Sequence, residues 1–178
     1  MTFEAKHYRK DGIVIPLEVS ASLIDSAGAP LIQSFHRDIS ERKRAEDMNA
    51  RLAAIIANSN DAVVGRSLDN KVTSWNPAAE RLFGYSAAEA IGQDNSGLII
   101  PPERAGELAR NRAQLAQGRG VHDLETVRRT KDGRLIDVSI SQSPIKDAGG
   151  TITGVSITFR DITERKQAER EISRLNAD

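Results

Sequence analysis

The sequence contains no cysteine, few aromatic residues and no long apolar run. Without cysteine, the 178-residue chain can form no disulfide, thiolate metal site, iron–sulfur cluster or cysteine nucleophile. Its longest apolar runs, such as residues 52–57 and 98–100, are far shorter than the roughly 20 residues that a membrane helix needs. The N-terminus also lacks the apolar core of a signal peptide. We therefore expect a soluble, cytoplasmic chain without a membrane segment.

Neither sign of charge is in excess, because 25 Lys and Arg side chains balance 25 Asp and Glu side chains. A nucleic-acid-binding protein needs a basic surplus to neutralise phosphates, so the balance argues against nucleic acid as a partner. The sequence motifs of serine hydrolases, zinc peptidases and phosphate-binding loops are also missing. We therefore expect that this chain is not itself an enzyme and holds no metal ion.

An internal repeat is the most informative feature of the chain. The residues R-D-I-S-E-R-K at 37–43 recur as R-D-I-T-E-R-K at 160–166, and a K-D-G turn occurs at both 10–12 and 131–133. Residues 1–44 thus match the last third of a unit that occupies about 45–166. The expected division is a partial first unit at 1–40, a linker helix at 41–58, a complete second unit at 59–163 and the start of an exit helix at 164–178.

The periodicity of apolar residues predicts the elements of each unit. Both copies are predicted to end in three antiparallel strands; in the second copy Ile136, Val138 and Ile140 alternate with polar residues. Two short strands and short helices capped by Asn76 and Ser86 precede them, followed by a longer helix over 101–117. This order predicts an α+β fold in which helices cover one face of a five-stranded antiparallel sheet.

Two highly charged helical segments carry narrow apolar seams at heptad spacing. The seam residues are Ala45, Met48, Leu52 and Ile55 in the linker helix and Ala168, Ile172 and Leu175 in the exit helix. A seam of about two apolar residues per heptad is too narrow for a globular core and needs a second helix. The sequence therefore predicts coiled-coil-type flanking helices and a parallel homodimer through these residues.

Residues 75–92, W-N-P-A-A-E-R-L-F-G-Y-S-A-A-E-A-I-G, resemble the N-x-A-x-x-x-x-x-G-Y-x-x-x-E-x-x-G signature of PAS sensor domains. The D-I-T-E-R-K residues at 161–166 resemble the exit motif that joins such domains to signalling helices. The resemblance implies a PAS-like sheet with a pocket beneath the helices and output through the C-terminal helix. Residues 171–176 resemble linkers that lead into bacterial histidine kinases, although diguanylate cyclases use similar linkers.

The resemblance also implies a signal-coupling role for the exit motif. In the family, the exit Asp and Thr tie the last strand to the helix, which gives that role to Asp161 and Thr163 here and to Asp38 and Ser40 in the first copy. The residues themselves offer a second interpretation, in which Asp161 only caps the outgoing helix. Both interpretations remain open from sequence.

Cofactor binding is weakly indicated. Haem needs an axial ligand, usually His, but the predicted long helix has none and His122 follows it at a strand end. Trp75 and Asn95 are candidates to face a flavin ring, although such residues more often pack and cap. Flavin photochemistry through a cysteinyl adduct is excluded because cysteine is missing. We therefore expect no cofactor, with haem and flavin as alternatives.

Together, these features predict a sensory and dimerisation module of a bacterial signal-transduction protein. The module is expected to relay a small-molecule or redox state to a C-terminal output domain, most simply a histidine kinase. The alternatives are a haem- or flavin-binding redox or gas sensor and a purely structural dimerisation spacer.

Overall fold

The computed structural model describes residues 1–26 and 28–176, which form two compact units divided between residues 54 and 55. The first unit contains a three-stranded antiparallel sheet in the order β1 (Thr2–Tyr8), β2 (Val14–Ser26) and β3 (Ala29–Asp38). Helix α1 (Ser40–Ala57) follows, and the division between the units falls near its end.

The second unit is a five-stranded antiparallel sheet with helices inserted between its second and third strands in sequence. The strands are β4 (Ala62–Ser67), β5 (Val72–Trp75), β6 (Val121–Arg129), β7 (Leu135–Lys146) and β8 (Ile152–Asp161), in the spatial order β5-β4-β8-β7-β6. The helices are α2 (Pro77–Phe83), α3 (Ala87–Ala90), α4 (Asn95–Ile99), α5 (Gly106–Ala116) and, after β8, α6 (Thr163–Leu175). The α+β prediction with five antiparallel strands is confirmed.

The internal repeat extends to strand register. Leu17 lies opposite Asp38 in the first sheet, and Val138 lies opposite Asp161 at the equivalent position of the second. The copies differ in the next hairpin, where residues 147–151 join β7 to β8 in a longer connection than that between β2 and β3. Among the described residues of the first unit, none forms a counterpart of β4, β5 or α2–α5.

Side-chain caps begin α2 and α3, the first two helices of the second unit, where the sequence predicts. The Asn76 side chain accepts a hydrogen bond from the Ala79 amide at 2.9 Å and begins α2. Ser86 and Glu89 form the reciprocal capping box that begins α3. Gly84 ends α2 with a φ of +79°, a left-handed conformation that glycine adopts without a Cβ clash.

The prediction of one continuous helix over 101–117 was wrong in its extent. Residues 102–104 form a 3₁₀ turn, and α5 begins only at Gly106. The adjacent prolines at 101 and 102 account for the extended backbone of residues 100 and 101, because each proline restricts the residue before it, so the predicted helix does not begin before residue 102. The sequence analysis also missed α4, although Asp94 caps it by accepting from the Gly97 amide at 3.0 Å.

The core of the second unit lies between the helices and one face of the sheet. Phe83 from α2 meets Phe159 from β8 edge to face, with 5.1 Å between ring centroids. Buried apolar side chains surround them, including Val64 from β4 and both Val138 and Ile140 from β7. This arrangement places the inward-facing residues of β4, β6, β7 and β8 beneath the helices, where the candidate site lies.

Candidate functional site

A small polar cavity lies in the core of the second unit. Its volume is about 20 Å³, room for about one water molecule. The residues that line it are Arg66, Asn95, Ile100, Leu108, Asn111, Arg128, Gln142, Ile157 and Phe159. Five of these nine are polar or charged, although such side chains are mostly exposed in folded proteins. A buried cavity with several convergent polar groups is a candidate ligand site.

Arg128 on β6 enters the cavity already paired. Its guanidinium donates to Glu107 Oε2 at 3.0 Å, and Thr126 donates its hydroxyl to Glu107 Oε1 at 2.6 Å. Burial lowers the pKa of Arg128, while the neighbouring Glu107 carboxylate opposes that shift. The two opposite charges compensate each other, so this pair brings no net charge to the cavity.

Arg66 on β4 is different because it has no partner. The residue is only 2% exposed, yet its guanidinium makes no hydrogen bond or ion pair with any residue that the structure describes. Burial lowers the pKa of Arg66, the positive charge of Arg112 lowers it further, and Asp94 acts in the opposite direction. Arg66 therefore places beside the cavity a positive charge that has no ion-pair partner among the described residues.

Three buried amide side chains, those of Asn95, Asn111 and Gln142, complete the polar lining. Within the described part of the chain, Asn95 Oδ1 and Gln142 Oε1 have no hydrogen-bond partner. An unsatisfied buried polar atom costs about 1–3 kcal/mol, so native proteins rarely keep one without a reason. These amides are free to bind water or a polar group of a ligand.

An apolar cleft adjoins the cavity and shares Arg66 with it. The cleft has a volume of about 380 Å³ and is lined by Arg66, Leu68, Arg112, Leu115, Ile152 and Val155. Leu115 and Val155 are buried, whereas Leu68 is exposed at the surface. The shared arginine thus lies between a polar cavity and an apolar, open cleft.

Of the three cofactor candidates named from sequence, the structure brings only Asn95 to the cavity. Trp75 is buried in the core, where its Nε1–H donates to the Tyr85 carbonyl at 3.0 Å and its ring packs against Phe83. His122 is exposed on β6 and does not line the cavity or the cleft. Trp75 and His122 therefore lie outside the candidate site.

Sequence reasoning missed four of the polar lining residues, Arg66, Asn111, Arg128 and Gln142. A signal was present for two of them. Arg66 continues the inward alternation of Ala62 and Val64, and Gln142 continues that of Ile136, Val138 and Ile140. A polar residue at a position where the strand period requires an apolar one marks a buried polar group.

The residues present offer no ligand for haem, and the polar cavity is too small for a flavin ring. No histidine is among the described side chains that line the cavity or the cleft, so neither space offers the usual axial haem ligand. A cavity of about 20 Å³ is also far smaller than the roughly 300–1,000 Å³ of typical cofactor pockets. Among the described residues, no cluster of three or more His, Asp or Glu side chains could hold a metal ion.

The exit motif joins the sheet to α6 through Asp161 and Thr163. Asp161 accepts a hydrogen bond from the Thr163 amide at 2.8 Å, and Asp38 does the same for the Ser40 amide in the first unit, also at 2.8 Å. The cap position of α6 is Ile162, so the expectation that Asp161 is the cap residue was wrong. Asp161 is the last residue of β8, and its carboxylate reaches the amide two residues later in a local turn.

Thr163 and the basic residues of α6 fasten the helix to β6 and β7. The Thr163 hydroxyl accepts from the Asp137 amide at 3.2 Å, and the Ile162 amide donates to the Asp137 carbonyl at 3.0 Å. Arg170 pairs with the Asp137 carboxylate at 2.9 Å, and Arg165 and Lys166 pair with Glu125. Among the ion pairs of the described residues, the basic side chains of α6 thus pair with Asp137 and Glu125 and not with Asp161.

The predicted seam residues lie on the surface of the single chain. Leu52 and Ile55 on α1 are 51% and 61% exposed, and Ile172 and Leu175 on α6 are similarly exposed. Met48 is also largely exposed, as are Ala45 and Ala168. Among the described residues of α1 and α6, none is buried. No described helix is long and apolar enough to cross a membrane.

Comparison with known proteins matches both units to one family. The model of the PAS fold matches residues 50–162, and a PAS domain model matches residues 1–41. The chain is 31% identical over 141 residues to the C4-dicarboxylate transport sensor protein DctS of Rhodobacter capsulatus, covering 76% of this chain and 22% of that protein. It is also 31% identical over 119 residues to the signal transduction histidine-protein kinase AtoS of Escherichia coli K12, covering 67% and 19%.

A solved structure shows the same fold. The crystal structure of a PAS domain from Colwellia psychrerythraea aligns with a TM-score of 0.60 at 28% identity, covering 66% of this chain and 99% of that one. The chain spans about a fifth of the length of the two curated relatives described above.

Proposed function

The chain belongs to the PAS family of sensor domains, and on that premise we propose that it relays the state of the polar cavity to a C-terminal output domain through α6. The output domain we propose is a histidine kinase, because the relative AtoS is one and residues 171–176 resemble the linkers of such kinases. Within the chain, we assign residues 59–163 to the complete sensor domain and 1–40 to the end of a preceding one.

The junction between the sheet and α6 is the observation that carries this proposal. Arg128 on β6 and Gln142 on β7 line the cavity, while Glu125 and Asp137 on the same two strands hold α6. A ligand that moves these strands by a fraction of an ångström moves the anchors of α6 with them. A packed junction of this kind converts a local change into a shift between two helix positions.

Hydrogen exchange of the α6 amides tests the relay without knowledge of the ligand. Gln142→Leu perturbs the cavity, and we expect it to change the exchange rates of the first two turns of α6. Thr163→Val removes the hydroxyl contact to Asp137. The effect of Gln142→Leu on α6 should therefore shrink in the double variant.

Thr153→Val is the matched control, because Thr153 is an exposed threonine of β8 remote from the exit helix. This substitution should leave the response of α6 to Gln142→Leu unchanged. If Gln142→Leu changes exchange in β6 and β7 and leaves α6 unaffected, the relay is refuted.

We also propose that the chain is a parallel homodimer through α1 and α6. The seam residues are exposed in the single chain, and charged side chains of both signs flank them. Glu46 lies within 3.9 Å of both Arg42 and Lys43, so part of this charge is already paired along the helix. A narrow apolar stripe between charged flanks is the arrangement of a paired helix in water.

A further inference from the structure

We propose that the second unit binds a monocarboxylate that carries a short apolar group, with the carboxylate at Arg66 and the apolar group in the cleft beside α5. This inference rests on the proposed sensory function, because it names the class of ligand that the cavity and cleft would detect. It is argued from the charge at Arg66, the free amides of the cavity and the apolar walls of the cleft.

The charge argument starts from the partners that Arg66 lacks. Asp94 raises the pKa of Arg66 through its charge but forms no ion pair with it, and accepts instead from Asn70 Nδ2 at 3.1 Å and from the Gly97 amide at 3.0 Å. Arg112 adds a second positive charge and donates to the Leu68 carbonyl at 3.0 Å. A buried charge without a partner is strongly unfavourable, so an anion placed at Arg66 would be bound tightly.

The number of charges favours a single carboxylate. Arg128 is neutralised by Glu107, so Arg66 is the buried charge without an ion-pair partner among the described residues of the cavity. A guanidinium matches the planar carboxylate group with two parallel hydrogen bonds. The cavity beside Arg66 has room for about one water molecule, which would donate one hydrogen bond to the unpartnered oxygen of Asn95 or Gln142 and the other to the carboxylate.

The cleft supplies the apolar half of the ligand's binding site. Beyond the two arginines, its walls are Leu68, Leu115, Ile152 and Val155. These walls begin at Arg66 and lead to solvent, so an alkyl or aryl group attached to the bound carboxylate would lie against them without entering the filled core. Burial of each methylene against these walls favours binding, which gives a carboxylate with an apolar group an advantage over acetate.

Four probes at equal ionic strength test the ligand class on the whole 178-residue chain. They are hexanoate, 1-hexanol, hexylammonium and acetate, with binding measured by calorimetry and by the shift of the unfolding temperature. We expect hexanoate to bind at least tenfold more tightly than the other three. Equal binding of 1-hexanol would refute the carboxylate class, because the cleft would then accept apolar groups without regard to charge. Equal binding of acetate would refute the apolar half of the proposal.

Arg66→Met should weaken hexanoate binding at least tenfold, whereas Arg110→Met, an exposed arginine on the same helix as Arg112, should leave it unchanged. If Arg66→Met retains hexanoate affinity, the anion does not lie at Arg66. If that variant does not fold, Leu68→Gln at the exposed rim provides the test: it should weaken hexanoate several-fold and leave acetate unaffected. If Leu68→Gln weakens the binding of hexanoate and acetate equally, the apolar group of the ligand does not lie in the cleft.

The outcomes separate this inference from the proposed relay. Hexanoate binding without any change in α6 exchange would refute the relay and keep the ligand class. Conversely, coupling between Gln142→Leu and α6 without hexanoate binding would refute the ligand class alone.

Discussion

Glu107 and Arg128 form an ion pair that is almost completely removed from water, with side chains 7% and 3% exposed. Loss of one partner leaves the other charged and buried. We expect Glu107→Ala to lower the free energy of unfolding by about 3–5 kcal/mol, measured by urea denaturation of the purified chain. Glu103→Ala, an exposed carboxylate in the preceding turn, is the control and should stay within about 0.5 kcal/mol of the parent. A similar loss in both variants would contradict the pairing argument.

The surface carboxylate of Glu89 makes the stability of the fold depend on pH in the acid range. The hydrogen bond from Lys131, together with the Ser86 amide and hydroxyl, lowers the pKa of Glu89 from 4.5 to about 2. Because the folded pKa is depressed, this stabilisation is present above pH 4.5 and disappears as the pH falls toward 2. Glu89→Gln should therefore lose less stability than the parent between these pH values.

Thermal unfolding at a series of pH values checks the Glu89 prediction. Glu103→Gln is the matched control, since it removes an exposed carboxylate outside the Lys131 contact. Parallel acid profiles for the parent and Glu89→Gln would show that the contact with Lys131 does not form in solution.

At the scale of elements, Asn76 connects three segments of the second unit. Its Oδ1 accepts from the Val63 and Ala79 amides, and its Nδ2 donates to the carbonyls of Ile56 and Asp61. Ser86, in contrast, is an exposed cap that serves α3 alone. The two residues have the same local role and very different surroundings.

Asn76→Ala should therefore cost more than an ordinary cap. We expect a loss of about 2–4 kcal/mol, the sum of a cap and of buried groups left unpaired, against about 0.5–1 kcal/mol for Ser86→Ala. Chemical denaturation of both variants measures the difference. Equal losses would mean that the side chain acts only on α2.

At the scale of the whole molecule, the apolar seam of α1 predicts assembly. Leu52→Asp with Ile55→Asp places two charges on the seam, and burial of each leucine or isoleucine stabilises a dimer by about 1.5–3 kcal/mol. We expect the double variant to be monomeric by light scattering, with the circular dichroism of the second unit preserved. Both side chains lie outside the buried core, so the fold does not depend on them.

The control places the same charges on the opposite face of α1. Ala50→Asp with Ala53→Asp changes two exposed residues away from the seam and should leave the dimer intact. A parent chain that is monomeric, or a seam variant that stays dimeric, would show that α1 is not the interface. A seam variant that unfolds would instead place these residues in a domain core.

The sheet of the first unit exposes large apolar side chains. Leu23 and Ile32, which are paired across β2 and β3, are 73% and 77% exposed in the single chain. The equivalent face of the second sheet is covered by its helices. We predict that another chain or domain covers the first sheet, because exposed apolar strands of this kind are a hazard for aggregation.

The periodicity of apolar residues and the helix-capping residues in the sequence determined most of the elements of this protein. The alternation of Ile136, Val138 and Ile140 predicted β7, and the caps at Asn76 and Ser86 predicted α2 and α3, because these signals depend on neighbours only a few residues away. The internal repeat likewise predicted that both copies end in three antiparallel strands. Such features are local, and a single sequence contains all the information that they need.

Only the tertiary structure decided which polar residues meet. Arg66, Arg128 and Gln142 are far apart in sequence and converge because β4, β6 and β7 present the same face of one sheet to the helices. Glu107 on α5 reaches Arg128, whereas no acidic side chain among the described residues forms an ion pair with Arg66. Strand order and helix position decide which groups can pair with a buried charge, and the spacing of residues along the sequence specifies neither.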